Sequence, residues 1–190
     1  MSKHKRPEPK LIRIDLGCGG KKRGEDWIGC DQYKMPGVDR IFDIGSAKWP
    51  FKDGSVEEAH SSHFIEHLTN LGGKWERVHF FNELYRVLRN GAKTTLVFPH
   101  WCSQRYYGDP THKEPFSEFG FYYVSKAWRL SDAPHTDVTW NQDGYDCDFQ
   151  ATWGYSIHPQ IQARNQEYQQ EALLWKKDAA LDIIATLVKL

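Results

Sequence analysis

The sequence lacks any apolar run approaching the ~18 consecutive residues of a helical membrane span, so no span is expected. It lacks an excess of charge: 25 Lys and Arg balance 25 Asp and Glu, and the pI is about 7.1. A broad, non-specific nucleic-acid binder usually carries a basic surplus, and that class is therefore disfavoured. It lacks paired cysteines: Cys18, Cys30, Cys102 and Cys147 form no CxxC. That excludes the usual zinc knuckle and disulfide framework, and fits a reduced, cytoplasmic setting. The opening MSKHKRPEPK has no apolar core behind its charges, so it is not a signal peptide. Residues 1–10 are expected to be a flexible arm, with no repeat or low-complexity block after them.

What is present is a chain of 190 residues with eight tryptophans and 14% aromatics. The length suits one domain, 11–190, with a real core. Residues 11–16 alternate apolar and polar side chains and then meet Gly17, which predicts a strand. Further short strands are predicted at 27–31, 38–44 and 56–61. Residues 74–89 predict a helix, with Trp75, Val78, Phe81, Tyr85 and Leu88 on one stripe and Asn90-Gly91 as its C-terminal cap. AKTTLVF, 92–98, predicts a fifth strand stopped by Pro99. Residues 100–136 break the rhythm with aromatics and three prolines. Extended structure is expected over 138–159 with a turn at Asp143-Gly144, then helix over 160–178. The β-branched IIATLV favours a terminal strand over a continued helix at 181–190. Strands separated by helices or long crossovers argue for an α/β, mostly parallel sheet.

The segment LIRIDLGCGGKKRGEDWIGCD, 11–31, places a glycine turn after the first strand. A dinucleotide fingerprint, G-x-G-x-x-G, is met by Gly17 and Gly19 but fails at Lys22. A P-loop ending at Gly20-Lys21 would need Gly at 15 and Ser or Thr at 22, where Asp15 and Lys22 stand. What remains is an acid, a G-x-G turn, and a second acid, Asp31, ending the second strand.

This arrangement resembles motif I of the class I S-adenosylmethionine (SAM) methyltransferases. The likeness continues through IFDIGSAKWPFKDGSVEEAHSSHFIEHL and LYRVLRNGAKTTLVFP, covering about residues 11–99, although Asn90-Gly91-Ala92 replaces the family's usual P-G-G. The resemblance implies a single-domain Rossmann-like methyltransferase fold: a mostly parallel seven-stranded sheet flanked by helices, the last strand antiparallel. It implies SAM as cofactor, held by Asp15, Gly17, Cys18, Gly19 and Gly20 at the first strand. Asp31 and Gln32 would take the ribose, Asp43 and Ile44 the adenine, and Ser61, Ser62 and His63 the methionine end. The pattern suits the ligand, because glycines let backbone approach closely and a carboxylate is a pure acceptor for two hydroxyls.

Residues 100–160 are left to shape the acceptor site, and GDPTHKEPF supplies Asp109 and His112. With His63 these are the candidate catalytic groups. His63 and His67 stand four apart, but HFIEHL is not H-E-x-x-H, so no metal is expected. Cys18 has no cationic helper and is not a candidate nucleophile. The expected function is methyl transfer to an O or N nucleophile of a small-molecule or protein acceptor. The alternatives are a non-catalytic SAM-binding or scaffold subunit, or a nucleic-acid methyltransferase whose aromatics stack bases. A NAD-dependent oxidoreductase is disfavoured by Lys22.

Overall fold

The computed structural model describes residues 12–136 and 144–190. The arm at 1–10, Leu11, and residues 138–143 of the expected extended segment, with Asp143 of its turn, lie outside the described residues.

Seven strands form one sheet: β1 (Ile12–Leu16), β2 (Trp27–Asp31), β3 (Arg40–Ile41), β4 (Val56–Ser62), β5 (Leu88–Pro99), β6 (Phe149–Ile157) and β7 (Ala180–Lys189). Their order is β3-β2-β1-β4-β5-β7-β6. β7 runs antiparallel to both its neighbours, and the other strands are parallel to one another. The terminal segment is thus a strand, as its β-branched sequence predicts, and the antiparallel one, as the family resemblance implies. The expected third strand is far shorter than 38–44: only Arg40 and Ile41 pair with β2.

The principal helix, α1 (Glu76–Val87), lies against one face of the sheet. Its buried side is Val78, Phe80, Phe81, Leu84 and Val87, with Arg77 and Glu83. The buried side keeps Val78 and Phe81 of the predicted stripe and adds Phe80, Leu84 and Val87, while Trp75 and Tyr85 are only half-buried. Asn90-Gly91 is no cap. The helix passes directly into β5 at Leu88, and the register shifts between Val56↔Leu88 and Glu58↔Lys93. Gly91, at φ 75°, sits in that irregularity. Short helices follow: α2 (Gln104–Tyr107), α3 (Lys126–Ser131), α4 (Pro159–Gln162) and α5 (Gln166–Trp175). The single helix expected over 160–178 is therefore two, each begun by a capping side chain, His158 and Asn165.

The core forms where alternate residues of the sheet meet α1 and the aromatic segment: Ile14, Leu16, Leu96, Phe98, Ile183, Ala185 and Leu187 against Phe80, Phe81, Leu84, Phe116 and Phe121. The opposite face is largely polar. Lys93, Gln150 and Thr152 are exposed there, and Thr95 and Thr186 half-exposed. Such one-sided solvation is what antiparallel pairing tolerates.

The crossovers at 17–26, 32–39 and 42–55 contain no helix, although parallel strands are usually joined by one. Side chains do the joining. Arg13 and Arg23 sit over the ring of Trp27, at 5.7 and 5.5 Å from its centroid. Asp39 accepts from Gly29 N at 2.8 Å and from Lys22 Nζ at 3.0 Å, tying the first two crossovers together. The third is clamped to α1: Glu83 accepts from Trp49 N, and Arg86 donates to Glu83, Trp49 O, Phe51 O and Asp53. The W-P-F turn is therefore a structural joint. No described helix is long and apolar enough to cross a membrane.

Candidate functional site

The site lies at the carboxyl ends of β1, β2 and β4, where open α/β sheets bind ligands. The glycine loop begins as Gly17 N and Cys18 N both donate to Cys30 O, at 2.9 and 3.1 Å. Gly17 (φ 66°) needs glycine twice over, since a Cβ there would stand 2.3 Å from the Phe64 ring. Gly19 is also left-handed, at φ 55°, and Gly20 is exposed.

Asp31 is 9% exposed. Its carboxylate accepts from Gly19 N at 3.0 Å and from Tyr33 N at 3.1 Å. Carboxylate oxygens can each accept more than one bond, so Asp31 can brace the loop and still serve a ligand. Asp15 differs. It is buried, with one oxygen on Arg23 N at 2.8 Å and the other 2.7 Å from His60 Nδ1. It anchors the far end of the loop. The Cys18 thiol donates to Gly19 O. Burial, then the Asp15 and Asp31 charges, push its pKa up to about 11, so it stays a thiol.

Gln32, Asp43, Ile44, Phe64, His67 and Lys113 line a crevice of about 110 Å³. Asp43 turns the chain there, accepting from Gly45 N and the Ser46 hydroxyl. Ile44 is buried beneath it. Lys113 Nζ and Glu76 Oε2, 3.0 Å apart, form a salt bridge between two residues of this lining. Ligand pockets usually measure roughly 300 Å³ or more, so a nucleoside must part Phe64 and Lys113 to enter fully. Ser61 is buried and donates to Leu16 O at 2.9 Å. Ser62 is half-buried and pairs with Val97.

Beyond β4 the chain turns sharply. His63 takes φ 52°, an uncommon conformation outside glycine that clusters at functional sites. A 3-10 turn, Ile65–His67, follows. The D-P-T-H segment folds back onto it. Asp109 accepts from Thr111 N and Oγ1, at 2.8 and 2.7 Å, and the Thr111 hydroxyl, then its N–H, hold the Asp109 pKa below the ordinary carboxylate value. This turn sends the His112 ring inward, its Nδ1 2.6 Å from Tyr106 O. A carbonyl only accepts, so Nδ1 carries a proton and donates it. His67 and His112 rings meet edge-on at 4.8 Å.

The fold thus gathers Asp109, His112 and His63, and adds two residues the sequence did not single out as ligands, Glu66 and His67. His63 Nδ1 is 3.4 Å from Glu66 Oε1, and Glu66 first raises the His63 pKa against the opposing effect of burial. The signal for Glu66 was present, a lone acid inside the apolar FIEHL, but its burial depends on the distant Lys113, whose N–H donates to Glu66 O. His100 lies elsewhere. With Trp101, Tyr107, Glu118, Tyr155 and Trp175 it lines a second cavity of about 530 Å³, and burial lowers its pKa. Helix α2 stands between the two regions: Tyr106 meets His112, while Tyr107 lines the aromatic cavity.

No family model matches the chain, and no curated protein matches its sequence. Solved structures do match. A SAM-dependent methyltransferase from Archaeoglobus fulgidus superposes with a TM-score of 0.59 at 16% identity, over 95% of this chain and 87% of that one. A methyltransferase from Haloferax volcanii, solved in complex with its Trm112 activator, gives 0.54 at 14% identity, over 94% and 82%. The geranyl diphosphate C-methyltransferase of Streptomyces coelicolor A3(2), solved with Mg2+, geranyl diphosphate and S-adenosyl-L-homocysteine, gives 0.52 at 11% identity, over 96% and 74%. With its strand order and antiparallel β7, the chain has the Rossmann-like fold of the class I SAM-dependent methyltransferases.

Proposed function

We propose that this chain is a SAM-dependent methyltransferase acting on an O or N nucleophile of a small-molecule or protein acceptor. The observation that carries the reading is one juxtaposition. Asp31, bonded to the glycine loop, ends β2 beside a crevice lined by Gln32, Asp43 and Ile44. An acceptor-only carboxylate at each of two adjacent strand ends suits the ribose hydroxyls and the adenine amino group of one nucleoside. Residues 11–99 then form the cofactor-binding core, and 100–160 shape the acceptor site.

The methyl donor is already activated, so orientation does much of the work, up to about 7–11 kcal/mol. The nucleophile attacks the methyl carbon in line. The C–S electron pair returns to sulfur, leaving S-adenosylhomocysteine, and the acceptor loses its proton. His112, Asp109 and His63 are the groups we assign to activating that acceptor, since they stand at the end of β4 where the methionine moiety would end. The aromatic cavity beyond Tyr107 favours a flat or apolar body on the acceptor. Four free cysteines fit a cytoplasmic setting.

The test is thermal. SAM and S-adenosylhomocysteine should each raise the melting temperature while NAD does not; a ligand at a hundredfold excess over Kd stabilises by about 2.7 kcal/mol. No shift with either at millimolar concentration refutes the cofactor. Labelled SAM incubated with the isolated chain and a cell extract then separates an enzyme from a non-catalytic binder, and identifies the acceptor.

A further inference from the structure

The group around His112 poses an electrostatic problem. Glu66 is 1% exposed, and neither of its carboxylate oxygens has a well-formed hydrogen bond among the described residues; His63 Nδ1 makes a long contact, 3.4 Å from Oε1. A buried carboxylate without a donor is costly. Its Oε1 faces His112 Nε2 at 3.9 Å, and Asp109 Oδ2 faces the same nitrogen at 3.8 Å. With Nδ1 committed to Tyr106 O, Nε2 is the ring nitrogen free to take a ligand. Two carboxylates and an imidazole nitrogen therefore converge with only the long His63 contact to offset them, and a ligand atom of His67 lies within 4.8 Å of those of Glu66 and His112.

We propose that Glu66, His67 and His112, with Asp109 as a fourth ligand, form a binding site for one divalent cation of the zinc or manganese type. The spacing suits it. Bonds of about 2.1 Å place two ligand atoms about 3.4 Å apart in a tetrahedron, and up to about 4.2 Å apart across the ion. The observed 3.8 and 3.9 Å around His112 fall inside that window, beyond the hydrogen-bond range of about 3.2 Å, and His67, within 4.8 Å, closes on the ion by a small side-chain movement. The supporting bonds are also those of a metal site. A ligating histidine usually gives its other N–H to a backbone carbonyl, as His112 does to Tyr106. His67 Nδ1 is held 3.2 Å from Thr111 O, and Asp109 is held by Thr111. Two imidazoles with two carboxylates favour a borderline cation over magnesium or calcium, which prefer oxygen alone.

The cation's role rests on the methyltransferase reading, although its binding does not. His67 joins this cluster to the nucleoside crevice, and the Glu66–His63 contact joins it to the end of β4, where the methionine moiety would end, which puts the cation beside that end of the cofactor. Asp109 and His63, each with about half its side chain exposed, leave that end open. An acceptor hydroxyl bound at the open position would have its pKa lowered. It gives its proton to solvent, and the resulting oxyanion attacks the methyl carbon.

The experiment titrates the full chain, stripped by chelator, with Zn2+, Mn2+ and Mg2+ separately in a calorimeter without SAM. One Zn2+ or Mn2+ should bind per chain, at least tenfold tighter than Mg2+. Glu66→Gln and His112→Gln should each weaken binding by at least a hundredfold. Should either fail to fold by circular dichroism, Asp109→Asn, at an exposed turn, should still weaken it by at least tenfold. No Zn2+ or Mn2+ binding to the folded wild-type chain at millimolar concentration overturns the site. So does wild-type affinity in a folded Glu66→Gln, His112→Gln or Asp109→Asn variant. A chain that binds the cation but gives no melting shift with SAM keeps the site and loses the methyltransferase reading, so the two failures are distinguishable.

Discussion

Asp31 offers a test in which stability and affinity can be separated. In Asp31→Ala the Gly19 and Tyr33 N–H groups lose their acceptor. Both belong to partly or fully exposed residues, so water replaces much of what is lost. The cost to stability is then about 1–2 kcal/mol, the lower part of the range for bonds to a charged group. For a domain of this size that is a fall of roughly 2–8 °C in melting temperature. The cofactor should lose more: the ribose bonds proposed for this buried carboxylate would be worth about 1.5–3 kcal/mol, a drop in SAM affinity of roughly 10- to 150-fold. Asp31→Asn retains one acceptor oxygen and should fall between. Melting curves measure the first quantity and calorimetric SAM titration the second. Wild-type SAM affinity in a folded Asp31→Ala chain would mean that Asp31 braces the loop and nothing more.

Three further outcomes follow from other parts of the fold. Arg86→Met strands Glu83 beneath the Trp49 turn and should destabilise by about 3 kcal/mol, as breaking a buried pair does; denaturant unfolding showing a change below about 1 kcal/mol would remove the joint assigned to W-P-F. Gly17→Ala combines a left-handed φ, costing about 1–2 kcal/mol, with a clash on Phe64, and should abolish measurable SAM binding; a folded Gly17→Ala chain with unchanged affinity contradicts the close approach. The Asp39 pKa is held below its usual value first by Gly29 N–H and then by Lys22, so its contribution is complete above the ordinary carboxylate pKa and is lost as pH falls through the lower folded value. The melting-temperature gap between wild type and Asp39→Asn should therefore close below about pH 4, and a gap that persists to pH 2 refutes the linkage.

Much of the sheet was legible because its face against α1 is buried and its other face is wet. Residues 92–98 and 180–189 alternate in burial accordingly, although it is alternation of residue type at 12–16 and the β-branched IIATLV at the end that read as strand. The glycine turn and Asp31 were legible because φ above zero and a strand-ending acid leave local marks. Asn90-Gly91 misled because the pair reports a left-handed residue, and a helix cap and a strand irregularity need one equally. Asp15 could not be told from Asp31 by its motif. Which of the two is consumed by its neighbours depends on His60, brought alongside by the β1–β4 pairing. Glu66 and His112 were legible only as separate residues, because their meeting depends on a turn from β4 and a distant return segment.

The missing crossover helices bear on which nucleotide the site can take. A dinucleotide sits with its pyrophosphate on the N-terminus of the helix after the glycine turn, where unpaired N–H groups and the helix dipole receive the charge. Here Gly17–Asp26 contains no helix, so that receptor does not exist. Lys22, at the position where a third glycine would admit a close helix, instead spends its ammonium on Asp39. What surrounds the crevice is anionic even without the carboxylates of the cation site: Asp31, Asp43 and Glu76 against Lys113. A diphosphate would meet repulsion there, whereas a sulfonium carrying an α-amino group brings positive charge to it. The same loop that fails as a phosphate cradle is fixed at both ends by carboxylates, Asp31 on Gly19 N and Asp15 on Arg23 N. Its shape is thereby set before any ligand arrives, which reduces the ordering cost of binding.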